Sequence, residues 1–407
     1  NKLEVMGRVW SVDAVAKNNS TSFYGSIISF AESPLTEGLL IAGPDDGLIQ
    51  VSRDGGGTWT ETGSFKGVPD MSYVSDVEPS RFEENVIYAS FDNHKRDDFT
   101  PYILRSDDYG KSWKSIAANL PENGPVHSIA LDHVDPDLIF AATEFGVFFT
   151  RDGGEFWTQL KAGIPTIACR DLEIQRREND LVGASFGRGF YILDDYSPLR
   201  EVTPELLEQE AALFGSRRAW WYLEQRPLGS RPKASQGDAF FTAANPPFGA
   251  VFTYYLRDAM LTKEAQRQQV EKPLIEAGED TPFPGWDAVR EEQKEADPAV
   301  ILTIRGSDGE VVRHLEDGPT SKGFHRIAWD LRYPATQAIG VQGNWFAPQV
   351  QGIMAPPGRY TAELSRRVDG VVTRLADPVE FDVERMREGT LPSAEPEAVV
   401  AFWSRID

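Results

Sequence analysis

Short runs of alternating apolar and polar residues, broken by Gly, Asp and Pro, dominate the first half of this 407-residue chain. They predict strands at 27–30, 39–43, 48–52 and 58–61, then at 75–78, 86–90, 102–106 and 112–116, then at 126–130, 138–142, 147–150 and 157–160. A fourth group, at 171–174, 181–185 and 189–195, stops before Pro198, and 8–12 alternates as one more short strand. Period-two alternation bounded by turn residues marks half-buried β structure. Four short strands per repeat of roughly 40–50 residues marks a propeller blade.

An octet punctuates the first three groups between their third and fourth strands. Its copies are Ser52, Asp54, Gly56, Thr58 and Trp59; Ser106, Asp108, Gly110, Ser112 and Trp113; and Thr150, Asp152, Gly154 and Trp157. The aspartates stand 54 and 44 residues apart. Asp accepts hydrogen bonds from its own turn, Gly supplies positive φ, and Trp opens the next strand and fills the space beneath it. The octet therefore predicts a structural hairpin, and chemistry is expected on the opposite face.

The second half follows another rhythm. A short helix is expected at 206–214, and a loop rich in Gly, Ser, Pro and Lys at 226–237 marks the preferred domain boundary. Strands are expected at 250–256, 299–304, 311–315, 323–331, 358–364 and 378–383. Between the first two of these, 263–297 is charged, helix-friendly at its ends and interrupted by Pro282 and Pro284. The fold class is thus all-β: propeller blades, part of a larger ring, followed by an immunoglobulin-like β-sandwich. The expected divisions are 1–200 for about four blades, 201–237 for a linker, 238–385 for the sandwich with its insertion at 259–298, and 386–407 for a tail whose apolar run 398–403 is a packing or partner-binding segment.

Composition narrows the function. A net charge of −22 disfavours nucleic acid or an anionic membrane as partner, because both attract basic surfaces. No apolar run is long enough to span a membrane. Cys169 is the single cysteine, expected as a small buried hydrophobe on a strand, so intrachain disulfides and Cys-based metal sites are excluded. No Ser-His-Asp, phosphate-loop or dinucleotide signature is present, and no cofactor is expected. The chain opens without Met or a signal pattern and is expected to be the C-terminal part of a longer protein whose upstream part completes the propeller.

The octets resemble the Asp-box, or bacterial neuraminidase repeat, and the span from Tyr24 to about Leu256 resembles sortilin-type propellers of large bacterial proteins. Residues 187–195 and 244–250 carry the same resemblance. It implies a secreted, periplasmic or cell-surface protein, often labelled glycosyl hydrolase. Members of that group carry His before the Gly-Arg-Gly triplet, whereas this chain has Phe186, which removes an imidazole there. Sialidases use three arginines on separate blades, and Arg170 with Arg188 does not complete such a set.

The face opposite the octets is built from the second-to-third strand loops. Its candidate binding residues are Asp45, Asp46, His94, Arg96, Glu144, Phe145 and Arg188, with Tyr73, His127 and Arg170 from the blade connections. Carboxylates, cations and aromatics together suit a protein or polysaccharide ligand. No catalytic residue is assigned. Asp97, Asp98 and Glu144 are the alternative candidates for paired acid and base work at a glycosidic bond, a pattern that a solvated acidic loop also satisfies. Arg188 also fits a structural role, paired with Asp194 or Asp195. No metal site is expected, since neither Asp92 with Asn93 nor Asp97 with Asp98 has full calcium-loop spacing. Residues 220–222 fit an exposed sugar platform or packing where propeller meets sandwich. The leading expectation is an exported, non-catalytic interaction module. The alternatives are a glycoside hydrolase resembling two-propeller xyloglucan-cleaving enzymes, and a subunit of a cell-surface assembly docked by its insertion or tail.

Overall fold

The structure, a computed structural model, describes residues 4–5, 8–9, 25–161, 163–224, 243–335, 351–389 and 393–405. The chain divides into two units, Asn1–Arg200 and Glu201–Asp407.

In the first unit, β1 (Glu4–Val5) and β2 (Arg8–Val9) form a small hairpin; the rest of the strand expected at 8–12 lies outside the described residues. Four antiparallel meanders follow. The first comprises β3 (Ile27–Glu32), β4 (Leu40–Pro44), β5 (Ile49–Ser52) and β6 (Thr60–Thr62). The second comprises β7 (Tyr73–Pro79), β8 (Ile87–Asn93), β9 (Asp98–Ser106) and β10 (Lys114–Ser115). The third comprises β11 (Val126–Leu131), β12 (Ile139–Thr143), β13 (Gly146–Thr150) and β14 (Trp157–Gln159). The last has three strands, β15 (Cys169–Gln175), β16 (Asp180–Ser185) and β17 (Gly189–Leu193). The first strands β3, β7, β11 and β15 are successive neighbours, so the sheets fan out side by side in a propeller-like array.

Alternation along each strand explains the packing. Odd and even positions face different neighbouring sheets, and each interface holds its own apolar core. Leu39, Ile41 and Ile49 meet Val77, Ile87 and Leu104; Val86, Tyr88 and Ile103 meet Ile129, Ile139 and Phe148; Leu138, Phe140 and Val147 meet Cys169, Leu172 and Leu181. The two end sheets break this rule. Phe30 occupies the register position of Val77, Ile129 and Leu172, which are at most 4% exposed, yet it is 56% exposed. Phe190 occupies that of Ile49, Ile103 and Val147, at most 2% exposed, yet it is 76% exposed.

The octets connect third to fourth strands with one hydrogen-bond scheme. The hydroxyls of Ser52, Ser106 and Thr150 accept from the N–H of Gly56, Gly110 and Gly154 at 2.8, 2.8 and 3.0 Å, and donate to Asp54, Asp108 and Asp152. Asp54 and Asp108 also accept from the hydroxyls of Thr58 and Ser112, a contact that Phe156 cannot make in the third copy. Cys169 is buried on β15, and burial pushes its thiol up.

The fourth sheet has no octet. Tyr196 N–H donates to Asn179 O, as Gly55, Tyr109 and Gly153 donate to Gly38, Asn85 and Asp137 in the earlier sheets. The chain is then pinned by Arg200, whose Nε and Nη2 reach the fully buried carboxylate of Asp132 at 2.9 and 2.7 Å. That ion pair ties the end of the unit to the turn after β11.

The second unit contains α1 (Pro204–Leu207), β18 (Ala211–Leu213), β19 (Ala219–Trp221), β20 (Ala250–Leu256), α2 (Lys263–Glu276), α3 (Trp286–Lys294), β21 (Ala299–Gly306), β22 (Val311–Gly318), β23 (Gly323–Trp329), β24 (Gly358–Val368), β25 (Val371–Arg374), β26 (Val379–Arg385) and α4 (Pro396–Trp403). Strands β18, β20 and β23 form one sheet; β19, β26, β24, β21 and β22, with β25 on β24, form another. A single apolar core, including Phe252, Tyr254, Trp329, Leu302, Leu364 and Phe381, draws on both.

Two expectations are corrected here. The helix at 206–214 is confined to Pro204–Leu207, because Ala211, Ala212 and Leu213 are buried and pair with Leu256, Tyr255 and Tyr254. The 201–237 span is not merely a linker: β18 and β19 belong to the two sheets, β19 running parallel to β26. Of residues 220–222, Trp221 donates from Nε1 to Ala355 O at 2.9 Å and Tyr222, 37% exposed, meets Phe248 edge-on. The boundary loop at 226–237 lies outside the described residues.

Candidate functional site

One irregularity recurs in every first strand. The ladder slips between Ile27 and Ser29, Val74 and Asp76, Val126 and Ser128, and Cys169 and Asp171. The extra residues are Ile28, Ser75, His127 and Arg170, each freed from the pleat at an equivalent place. Such bulges re-aim side chains. Just before each slip the first strand pairs with Pro44, Phe91, Thr143 and Ser185, so the next residues, Asp45, Asp92, Glu144 and Phe186, also stand in equivalent places.

These two sets of positions meet across the last three sheets. Asp92, 7% exposed, takes His94 Nδ1 at 2.7 Å on one side, and its Oδ2 lies 3.6 Å from His127 Nδ1 on the other. His127 Nε2 lies 3.1 Å from Glu144 Oε2. Arg170 rests against the His127 ring with Nη1 3.2 Å from Nε2, and its Nη2 is 3.3 Å from Glu144 Oε2. Its guanidinium also lies over the Phe186 ring at 5.4 Å. A continuous row, Asp92, His127, Glu144, Arg170 and Phe186, thus runs from buried to exposed. Burial acts to raise the Asp92 carboxyl, but hydrogen bonds from His127 and from the backbone and ring of His94 outweigh it and hold the group well below the usual carboxylate range.

Toward the first sheet lies Tyr73, whose phenol is pushed up by burial and then by the charges of Asp45 and Asp92. Lys95 Nζ sits 5.3 Å from the centre of the Tyr73 ring. Asp45 accepts from Gly25 and Ser26 N–H and so ties its loop to the chain entering β3, whereas Asp46 accepts from Leu48 N–H and shapes its own turn.

The loop between the strands expected at 86–90 and 102–106 is shorter than the sequence suggested. Strands β8 and β9 run to Asn93 and from Asp98, which pair, and a 3-10 turn at His94–Arg96 closes through Asp97 at φ 64°. This tight closure separates the acids. Asp98 is bound by Asn93 Nδ2, Tyr102 OH and Thr100 N–H, and Asp97 is exposed in the turn, whereas Glu144 belongs to the His127 and Arg170 row. Arg96 donates to Asp70 O at 2.8 Å. Phe145 is 37% exposed beside Glu144, and Arg188 is exposed without an ion pair among the described residues, so it does not bridge Asp194 or Asp195.

Two features escaped sequence reasoning. Asp92 anchors the row, yet a bulge cannot be seen in a single strand pattern. On β7, Asp76 and Glu78 are half-buried on one side of the strand, and burial raises their carboxyls to about 6 and about 8. Asp76 Oδ2 accepts from Ile129 N–H at 2.8 Å, tying β7 to β11. Among the described residues no group of three or more His, Cys, Asp or Glu is placed to hold a metal ion.

A charge-sensitive row gives a direct expectation. Asp92→Asn removes the acceptor that both histidines share, and is expected to cost about 1–3 kcal/mol. Because the folded carboxyl is depressed, that loss is fully expressed above pH ~4 and shrinks as pH falls through the folded value. Urea unfolding of both proteins between about pH 7 and pH 3 checks it.

No family model matches the chain, and no curated protein sequence matches it. Among solved structures, the chain is similar to YCF48 bound to D1 peptide, at 20% identity and TM-score 0.32 over 41% of this chain and 51% of that one. It is also similar to YCF48 from Cyanidioschyzon merolae, at 20% identity and TM-score 0.31 over 41% and 52%. A third similarity, at 16% identity and TM-score 0.34 over 43% of this chain and 29% of the other, is to the GH74 enzyme of Niastella koreensis. The chain spans about half the length of the first two structures.

Proposed function

We propose that the first unit is an exported, non-catalytic interaction module, secreted, periplasmic or at the cell surface, that binds protein or glycan across the face opposite the octets. In this reading the octets are Asp-box repeats of a sortilin-type propeller and the second unit is an immunoglobulin-like β-sandwich. Further blades, from the upstream part of the same protein, cover Phe30 and Phe190.

The observation that carries the reading is the occupancy of the acids. Glu144 is held by His127 and Arg170, Asp92 by two histidines, and Asp98 by Asn93, Tyr102 and Thr100. Glycosidases need one carboxyl that keeps its proton near neutral pH opposite an ionised one, and the charge-paired Asp92 is held in the opposite direction. What the face offers instead is cations laid on aromatics, Arg170 on Phe186 and Lys95 on Tyr73, beside exposed Phe145. Such surfaces bind by stacking and charge.

The test is a binding screen of a tiled peptide library and a plant and bacterial polysaccharide panel. The expected result is saturable binding that falls about tenfold to a hundredfold in Glu144→Gln/Arg170→Met/Phe186→Ala with unchanged thermal stability. Undiminished binding by that variant removes this face from the proposal. A second reading, glycoside hydrolysis, is favoured by the raised carboxyls of Asp76 and Glu78. Release of reducing ends from xyloglucan, abolished in Glu78→Gln, would establish it in place of the first.

A further inference from the structure

The helical insertion of the second unit carries no residue that is buried. Helix α2 is fourteen residues long and α3 nine, and none of their side chains enters a core. Helices in proteins draw most of their stability from packing an apolar face, so some other force must hold this pair. Ion pairs supply it. Arg267 reaches Glu292 with Nε and Nη2, both at 2.8 Å, and Glu271 with Nη1 at 3.0 Å. Lys263 N–H donates to Glu295 at 2.6 Å, and its Nζ lies 3.0 Å from Asp369 at the turn between β24 and β25. The base of the hairpin is thus fixed to the sheet by charge.

The apolar residues concentrate toward the other end. Ile275 and Phe283 are each 63% exposed and Trp286 70%, with Phe283 and Trp286 in edge-to-face contact at 5.3 Å. Between 275 and 287 the only charged residues are Glu276, Glu279, Asp280 and Asp287. Glu276 lies 4.0 Å from Lys272 and Asp287 3.1 Å from Arg290, whereas Glu279 and Asp280 form no ion pair among the described residues. Large exposed aromatics beside two carboxylates that no cation neutralises form a surface suited to burial by a partner of opposite sign.

We propose that the tip of this hairpin is a docking element for a protein partner that presents an apolar pocket rimmed by Lys or Arg. It is independent of the propeller face. Charge argues against self-association, since a second copy at −22 brings mainly acidic surface to an acidic tip.

The probe is a labelled amphipathic Leu/Lys helical peptide, with a Leu/Glu peptide of equal length as reference, titrated by fluorescence anisotropy at about 150 mM salt, where diffuse attraction is screened beyond ~8 Å. The expected result is at least about tenfold tighter binding of the Leu/Lys peptide, lost in Phe283→Ala/Trp286→Ala and weakened about tenfold in Glu279→Lys/Asp280→Lys. Far-UV circular dichroism should be unchanged in both variants, because the ion pairs that hold the helices remain. Equal binding of the Leu/Lys peptide to wild type and Phe283→Ala/Trp286→Ala would overturn the proposal, as would no binding at all. A wild-type dimer that becomes monomeric in Phe283→Ala/Trp286→Ala would overturn it in favour of self-association.

Discussion

Asp132→Asn is expected to destabilise the first unit by about 3–5 kcal/mol, the cost of stripping a buried charge of its partner. The Asp132 side chain is fully buried and accepts from Arg200 Nε and Nη2, Tyr196 OH, and the N–H groups of Val134 and Asp135. An amide cannot accept on both arms, and Arg200, with only 16% of its side chain exposed, keeps its charge. For a unit of this size the midpoint of thermal unfolding should fall by about 10 °C. Burial acts to raise the Asp132 carboxyl, but hydrogen bonds from Arg200 and Tyr196 outweigh it and leave it lowered. Its contribution is therefore full above the unfolded value near ~3.9 and lost as pH falls through the folded value. The gap between wild type and Asp132→Asn should close below about pH 4. A gap that stays constant to about pH 2 would show that the ionised form is not its source.

Trp157→Ala is expected to cost about 3–5 kcal/mol, whereas Trp59→Ala should cost about 1 kcal/mol or less. The two residues hold the same place in their octets. Trp157 is 2% exposed, donates from Nε1 to Ile116 O at 2.8 Å, and exchanges backbone hydrogen bonds with the Asn119 amide. Trp59 is 41% exposed and donates to Gly56 O in its own turn at 3.2 Å. Trp113 donates to Gly110 O and is half-buried, so its loss should fall between them. Urea midpoints for the three variants provide the ranking, and equal losses would mean that burial does not set the cost.

The sequence made strand positions in the first unit legible because turn residues and period-two alternation act locally. Ser52, Ser106 and Thr150 end third strands where the octets place them. Long-range pairing was less visible. Residues 211–213 follow a helix start and are alanine-rich, so local propensity favours helix, but pairing with β20 and burial override it. At the candidate site, His127, Glu144 and Arg170 were recognisable as polar residues on one face. Their contact was not, because it depends on a ladder slip involving residues in two strands. Asp92 looked like a loop residue for the same reason, since β8 extends three residues past Ser90, where the strand was expected to end.

At the recurring slip, Ile28, Ser75, His127 and Arg170 sit where the pleat no longer dictates which side chain fits, while their neighbours remain committed to the interfaces between sheets. Each sheet therefore holds one position whose side chain answers to the neighbouring loops and sheets and not to the pleat, exposed at Ile28 and Arg170 and buried at His127. A substitution at Ile28 or Arg170 changes the chemical character of this face while the ladder pairs on either side stay in register.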